Sequence, residues 1–241
     1  MNVWSYWEGP MPPHIETCLA SMRRVCGDDF RLVTPANLHE HVPHGALHPN
    51  YKTMPQLGPK VSAIRAALLA LHGGWWLDAD TVALRHPQEV NLSYPHADVL
   101  YMMWSTPPER CLNGYIYARK HGGPAVEWLR RVNYKLEHAY ERACTWLVLG
   151  ERVLTELLLG DERCVCIALE TCLPLEVDTH VAEFFEDRQP ADYIKPETVC
   201  FGMNHSWMMY NHESDMMLPR EQWPESQMLI HRLLAKACQS Q

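Results

Sequence analysis

Asp78 and Asp80 stand two residues apart at the end of an apolar, aromatic run, Trp75-Trp76-Leu77-Asp78-Ala79-Asp80-Thr81-Val82. In an extended chain, residues i and i+2 share a face and lie about 6.6 Å apart along the strand. Two carboxylates aimed into one pocket repel each other, and a hard divalent cation with oxygen ligands relieves that repulsion. Octahedral Mg²⁺ or Mn²⁺ would keep positions open for the oxygens of a diphosphate. Two acids in a surface turn would show the same spacing, so the context has to decide. Arg65 is the second candidate. It lies four residues after Val61 and three before Leu68, on the buried face of a predicted helix. A buried guanidinium there needs an anionic partner, either a ligand or a structural carboxylate.

Weaker constellations follow. His205-Ser206-Trp207 comes after a predicted strand around Val199-Cys200-Phe201. A neutral imidazole can ligate Mn²⁺, and a hydroxyl or indole N–H can donate to phosphate. The alternative is a half-buried histidine in a loop. Asn113-Gly114 is either a site amide or an ordinary turn. His39, His41, His44 and His48 crowd together without finger-like spacing, which fits a solvated loop better than a zinc site. Cys164, Cys166 and Cys172 fit buried cysteines better than zinc ligands.

The elements that must position these residues alternate in type. Val3 to Trp7 reads as a strand closed by Gly9-Pro10. Pro12-Pro13 opens a helix with Ile15, Leu19 and Met22 on one face, stopped by Gly27 before a strand over residues 30–33. Residues 34–48 read as loop with one helical turn. Residues 60–72 form an alanine-rich amphipathic helix ended by Gly73-Gly74. A strand over 75–82 follows and turns polar at its carboxyl end, where α/β sheets place ligands. Further strands are predicted at 98–104, 115–118, 165–169 and 198–201, and helices at 124–136, 142–159 and 225–237. This interleaving predicts an α/β domain with a mixed sheet. No internal repeat is found.

Composition sets the bounds. The 241 residues are 47% hydrophobic and 21% charged, enough apolar material for one sizeable core. No linker divides the chain, so one domain is expected. A net charge of −8 argues against nucleic-acid binding, which needs a basic patch. A phosphorylated small molecule remains compatible if a metal supplies local positive charge. The nine cysteines are an odd number, and the amino terminus lacks a basic segment followed by an apolar one, so a cytoplasmic location is expected. The longest apolar runs, such as 66–71, fall far short of the roughly 20 residues that span a bilayer, so membrane association would be peripheral.

The stretch Pro59-Lys60-Val61-Ser62-Ala63-Ile64-Arg65 through His72-Gly73-Gly74-Trp75-Trp76-Leu77-Asp78-Ala79-Asp80-Thr81 resembles the core signature of the DXD-containing sugar transferases. These are the capsular polysaccharide synthesis type, the fungal-type mannosyltransferase relatives and the glucosyltransferase domain of large clostridial toxins. Val3-Trp4-Ser5-Tyr6-Trp7-Glu8-Gly9-Pro10, then Pro13, Cys18-Leu19-Ala20-Ser21 and Phe30-Arg31-Leu32-Val33, follow the capsular-type pattern in order. The resemblance covers residue 1 to about 90 and is weaker around 112–122.

It implies a GT-A-like, Rossmann-type nucleotide-sugar-binding domain over 1–241, with residues 1–110 serving the donor and 111–241 the acceptor side and a C-terminal helix. It further implies Mn²⁺ or Mg²⁺, a nucleotide diphosphate sugar donor, and transfer of a hexose, with retention, to a glycan, polysaccharide or other hydroxyl acceptor. On this pattern Trp7 stacks on the base, Arg65 reaches the donor, Asp78 addresses ribose or sugar, and Asp80 binds the metal. His205 would complete the metal shell, Ser206 or Trp207 would touch the leaving diphosphate, and Asn113 would contact the donor sugar or the acceptor. Five of the nine Trp, at 4, 7, 75, 76 and 207, would then fall in or beside the donor site, with Trp75 or Trp76 also serving the core. One departure stands out. Ala63 replaces the aspartate of the family's Ser-Asp pattern, which leaves room for a non-catalytic nucleotide-sugar binder. An inverting enzyme would need a carboxylate base such as Glu213 or Asp215. The Asp78-Ala79-Asp80-Thr81-Val82 run also fits the motif of haloacid-dehalogenase-like phosphohydrolases.

Overall fold

The computed structural model describes residues 1–176, 180–205 and 218–239. Strands β1 (Val3–Tyr6), β2 (Phe30–Val33), β3 (Gly74–Leu77), β4 (Thr81–Ala83), β5 (Val99–Met103), β6 (Cys111–Ala118), β7 (Cys164–Cys166) and β8 (Cys200–Gly202) are interspersed with helices, β4 following β3 and β6 following β5 directly. The helices are α1 (Pro13–Cys26), α2 (Leu38–His41), α3 (Leu57–His72), α4 (Gln88–Ser93), α5 (Gly123–His138), α6 (Tyr140–Ala143), α7 (Glu151–Leu158) and α8 (Leu229–Gln239). The α/β class and the mixed central sheet expected from the sequence are both present. The chain forms two compact units, one of residues 1–6, 31–77 and 90–167, the other of residues 7–30, 78–89 and 168–241.

The first unit is built on a six-stranded sheet of order β2-β1-β3-β6-β5-β7. β3 runs parallel to β1 and antiparallel to β6, while β5 is antiparallel to β6 and parallel to β7. Helix α3 packs on β3, β6 and α5. The amphipathic pattern expected for it gives way to burial on every side, since residues 62–70 are all buried. A helix that is apolar nearly all round belongs inside a core. Gly73 (φ +66°) and Gly74 (φ +102°) end it in conformations that L-residues rarely adopt, and β3 begins at once.

Tryptophan serves this core. Trp75 and Trp76 are wholly buried and Trp4 nearly so. The Trp4 indole N–H donates to Gly73 O (2.9 Å) and that of Trp75 to Asn91 Oδ1 (2.7 Å), so burial leaves neither donor unmet. His41 and His72 pack around Trp4 at 5.2 and 5.4 Å between ring centroids. His48 Nδ1 accepts from Asn50 N. Among the described residues, no group of three or more His, Cys, Asp or Glu is arranged to hold a metal ion.

The second unit packs α1 against β4 and α8. Its core includes Cys18, Val82, Leu175, Phe184, Phe201, Trp223 and Leu233. β4 pairs antiparallel with β8 in a separate two-stranded sheet, Thr81 opposite Gly202.

Several boundaries differ from expectation for identifiable reasons. The helix predicted over 142–159 is two helices, α6 and α7, interrupted where Leu147 adopts φ +73°. The Trp128 indole holds the interruption by donating to Leu149 O (2.7 Å). β6 begins at Cys111, so Asn113-Gly114 lies within a strand and is not a turn. The last helix begins only at Leu229, after a 3₁₀ turn over Arg220–Glu225 that contains Pro224. No helix among the described residues is long and apolar enough to cross a membrane.

Candidate functional site

The strand predicted over 75–82 is broken in two. β3 ends at Leu77, Asp78-Ala79-Asp80 forms a turn, and β4 starts at Thr81. Asp78 and Asp80 are therefore not the alternating residues of one strand, and the extended-chain spacing does not apply to them. Both are half-buried, and Ala79 between them is buried. The break has a structural use, because β4 pairs with β8 rather than continuing β3.

That pairing joins two predicted residues 125 positions apart. Past the end of β8, Met203 N donates to Asp80 O (2.9 Å), and Asn204 takes φ +49°. His205 N then donates to Asp80 Oδ2 at 2.6 Å. A charge-assisted bond of this length fixes the carboxylate's direction. The His205 ring lies 5.8 Å from that of Trp7, edge to face, and Trp7 donates its indole N–H to Pro10 O (3.2 Å). Burial holds His205 below the ordinary histidine range, which favours the neutral imidazole.

His14, in the first turn of α1, completes this cluster. It is fully buried, and its Nε2 lies 2.9 Å from His205 Nδ1. One ring donates and the other accepts, so each fixes the other's tautomer. A single histidine in the first turn of an amphipathic helix carries no local sign of such a role, and the sequence reading missed it. Replacing His14 by Ala is expected to lower stability by about 1–3 kcal/mol, the cost of stripping a buried polar group of its partner. An unchanged urea midpoint for this variant would show that the contact contributes nothing. Cys18, one turn further along α1, is also fully buried; burial first and Asp80 second push its thiol well above the usual range, so it stays protonated.

Arg65 and Asn113 belong to the first unit. Arg65 is 3% exposed, as the helical spacing required, and its guanidinium sits 4.6 Å above the Trp76 ring. A desolvated cation–π contact of this kind is worth about 2 kcal/mol. Asn113 Nδ2 donates to Ser62 Oγ (3.4 Å), and Gly150 packs so closely that a Cβ there would meet Asn113 Nδ2 at 1.9 Å. Beside them Glu151, buried at the start of α7, accepts from the Trp104 indole (3.1 Å) and faces Arg110 Nη1 at 3.7 Å. An acid in the first turn of a helix is commonplace, so this carboxylate too went unremarked in the sequence. Ala63 is completely buried. Ser206, Trp207, Glu213 and Asp215 lie outside the described residues.

No protein-family model matches the sequence. Over 153 residues the chain is 29% identical to the O-glycosyltransferase braB of Annulohypoxylon truncatum. The chain is similar to a glycosyltransferase. The match covers 53% of this chain and 36% of that protein, so the chain spans little more than a third of the relative's length. Among solved structures, a PaToxG glycosyltransferase superposes with a TM-score of 0.49 at 13% identity, over 67% of this chain and 69% of that one. A glycosyltransferase involved in the glycosylation of the major capsid of PBCV-1 gives 0.48 at 13% identity, over 90% of this chain and 100% of the other.

Proposed function

We propose that the chain is a GT-A-like glycosyltransferase that moves a hexose from a nucleotide diphosphate sugar to a hydroxyl acceptor, such as a glycan or polysaccharide, with retention and with a divalent metal. The observation that carries this reading is the joining of Asp80 to His205 in a chain whose sequence is similar to an O-glycosyltransferase. The mixed α/β sheet supports it. The expected location is cytoplasmic.

The donor set suits Mn²⁺ or Mg²⁺. Asp78 and Asp80 offer hard carboxylate oxygens in one turn, and the half-buried ring of His205, whose neutral form burial favours, offers a nitrogen that Mn²⁺ accepts. The absence of a three-residue cluster among the described residues is compatible with such an ion, because Mg²⁺ is usually held by one or two carboxylates together with substrate phosphates. For His205 Nε2 to ligate, its Nδ1 must carry the proton and donate to His14 Nε2, which fits the 2.9 Å contact. When bound, the ion supplies Lewis-acid stabilisation of charge on the leaving diphosphate.

The chain's own residues do the rest of the work. The bond from His205 N gives Asp80 Oδ2 a fixed partner in the protein's own backbone, which favours a preorganised carboxylate. Trp7 offers an aromatic ring for the base, and Arg65 carries a permanent charge for phosphate or sugar. Asn113 offers an amide for the donor sugar or the acceptor. Ala63 removes one carboxylate from the family's sugar contacts. The phosphohydrolase alternative is not favoured, since β1 and α1 precede the aspartates and β3 has an antiparallel neighbour in β6.

A screen of UDP-, GDP- and CDP-sugars by thermal shift, with and without Mn²⁺, tests the proposal. A donor that binds only the folded chain stabilises it by about 2.7 kcal/mol at a hundredfold excess over Kd. One donor is expected to raise Tm only with Mn²⁺ and to release its nucleoside diphosphate slowly, with EDTA abolishing both effects. Binding without turnover against a broad acceptor panel would identify a sugar-nucleotide binder, and no response to any donor would overturn the reading.

A further inference from the structure

The second unit contains a cleft of about 380 Å³, bounded by the carboxyl ends of α1 and α8, the segment after β4 and the loop 194–198. Among the described residues that line it, four are cations, Arg24, Arg85, Lys195 and Lys236, and none is Asp or Glu. Leu84 and Ile194, both half-buried, give it apolar surface above the fully buried Val82 and Leu233. In a chain of net charge −8, a concave surface whose charged lining residues are all cations is against the composition.

Three of the cations have anchors in the backbone, so their positions are defined. Arg24 Nη1 donates to Ala237 O (2.6 Å), Arg85 Nε to Thr198 O (3.3 Å), and Lys195 Nζ to Asp192 O (3.3 Å). Each guanidinium commits only part of its five donors to this anchoring. Arg85 also pairs with Glu89 at 2.9 Å, but both side chains are well exposed and such a pair is weak. Arg24 and Lys236 lie in the last turns of their helices, where a cation offsets the helix dipole. That ordinary explanation does not extend to Arg85 or Lys195, which come from loops. Four like charges gathered around low-dielectric walls repel one another and concentrate a field that favours anions.

We propose that this cleft binds a phosphate group carried on an apolar body. The phosphate would take charge-assisted bonds from the rim, and the apolar part would cover the half-buried Leu84 and Ile194. The volume falls within the range of small-ligand pockets, about 300–1,000 Å³. None of these residues is assigned to the sugar donor, so binding here stands or falls independently of sugar transfer. A phospholipid headgroup region and a soluble organic phosphate offer the same chemistry.

Decyl phosphate titrated calorimetrically into the full chain is the direct probe, with inorganic phosphate and a neutral decyl ligand as controls. Decyl phosphate is expected to bind more tightly than either control and to weaken as salt is raised. The double variant Arg85→Gln/Lys195→Gln is expected to lose on the order of tenfold in affinity or more, the worth of one charged hydrogen bond. Arg24→Gln provides a second variant should the double one unfold. Pelleting with phosphatidylcholine vesicles that contain phosphatidic acid, lost in the double variant, would assign a lipid headgroup. Decyl phosphate binding without pelleting would assign a soluble phosphate. Absent decyl phosphate binding, or equal affinity in wild type and variants, would overturn the proposal.

Discussion

Replacing Asp80 by Asn is expected to leave the fold intact and to lower donor turnover by about 10²–10³-fold, the usual cost of removing one preorganised electrostatic group from an active site. The two effects separate because the observed hydrogen bond and the proposed metal binding use different properties of Asp80. Its Oδ2 accepts the His205 N–H at 2.6 Å, and the amide oxygen of Asn can accept the same bond. Its negative charge is what a divalent cation would need, and Asn lacks it. Asp80→Ala removes both. That variant is expected to lose a further 1–3 kcal/mol or so of stability through the unmet N–H of His205. Nucleoside diphosphate release, measured beside urea unfolding for wild type and both variants, distinguishes the outcomes. Full turnover in Asp80→Asn would remove Asp80 from the chemistry and leave it a structural acceptor.

The candidate residues and elements that were legible in the sequence are those written in local pattern. The burial of Arg65 followed from its place between Val61 and Leu68, and the end of α3 followed from two consecutive glycines. The α/β class followed from interleaved periodicities. What escaped was set by pairing between distant segments. Trp75 to Val82 reads as one apolar strand because no Gly or Pro interrupts it, yet the chain turns at Asp78-Ala79-Asp80 so that β4 can pair with β8. The polar cluster itself was the turn signal, and its chemical suggestiveness obscured its conformational one. His14 meets His205 across 191 residues, and Glu151 meets Trp104 across 47, contacts that no window of the sequence contains. The aromatic excess divided along the same line. Trp4, Trp75 and Trp76 went to the core, where their size contributes most, and Trp7 stayed half-buried beside His205.

The junction that delivers the aspartates should tolerate little change. Gly74→Ala is expected to destabilise the chain by about 3 kcal/mol or more, from backbone strain of about 1–3 kcal/mol added to overpacking of similar size. Gly74 sits at φ +102°, and a Cβ there would lie 2.2 Å from Asn2 O. That oxygen is part of the β1–β3 ladder, accepting the Trp75 N–H at 2.9 Å, so it cannot move without breaking the register that pairs Trp4 with Trp76. Gly9 supplies the control. Its φ is +101°, nearly the same, but a Cβ there would meet nothing within 4 Å. Gly9→Ala therefore carries the backbone strain without the collision and is expected to cost the smaller part alone. Urea midpoints of the two variants isolate the contact, and because folded chains have only about 5–15 kcal/mol in hand, the Gly74 variant should already show reduced soluble yield. Equal midpoints would mean that β1 yields freely at Asn2, and that the tight packing at the start of β3 does not hold the strand leading to Asp78 in place.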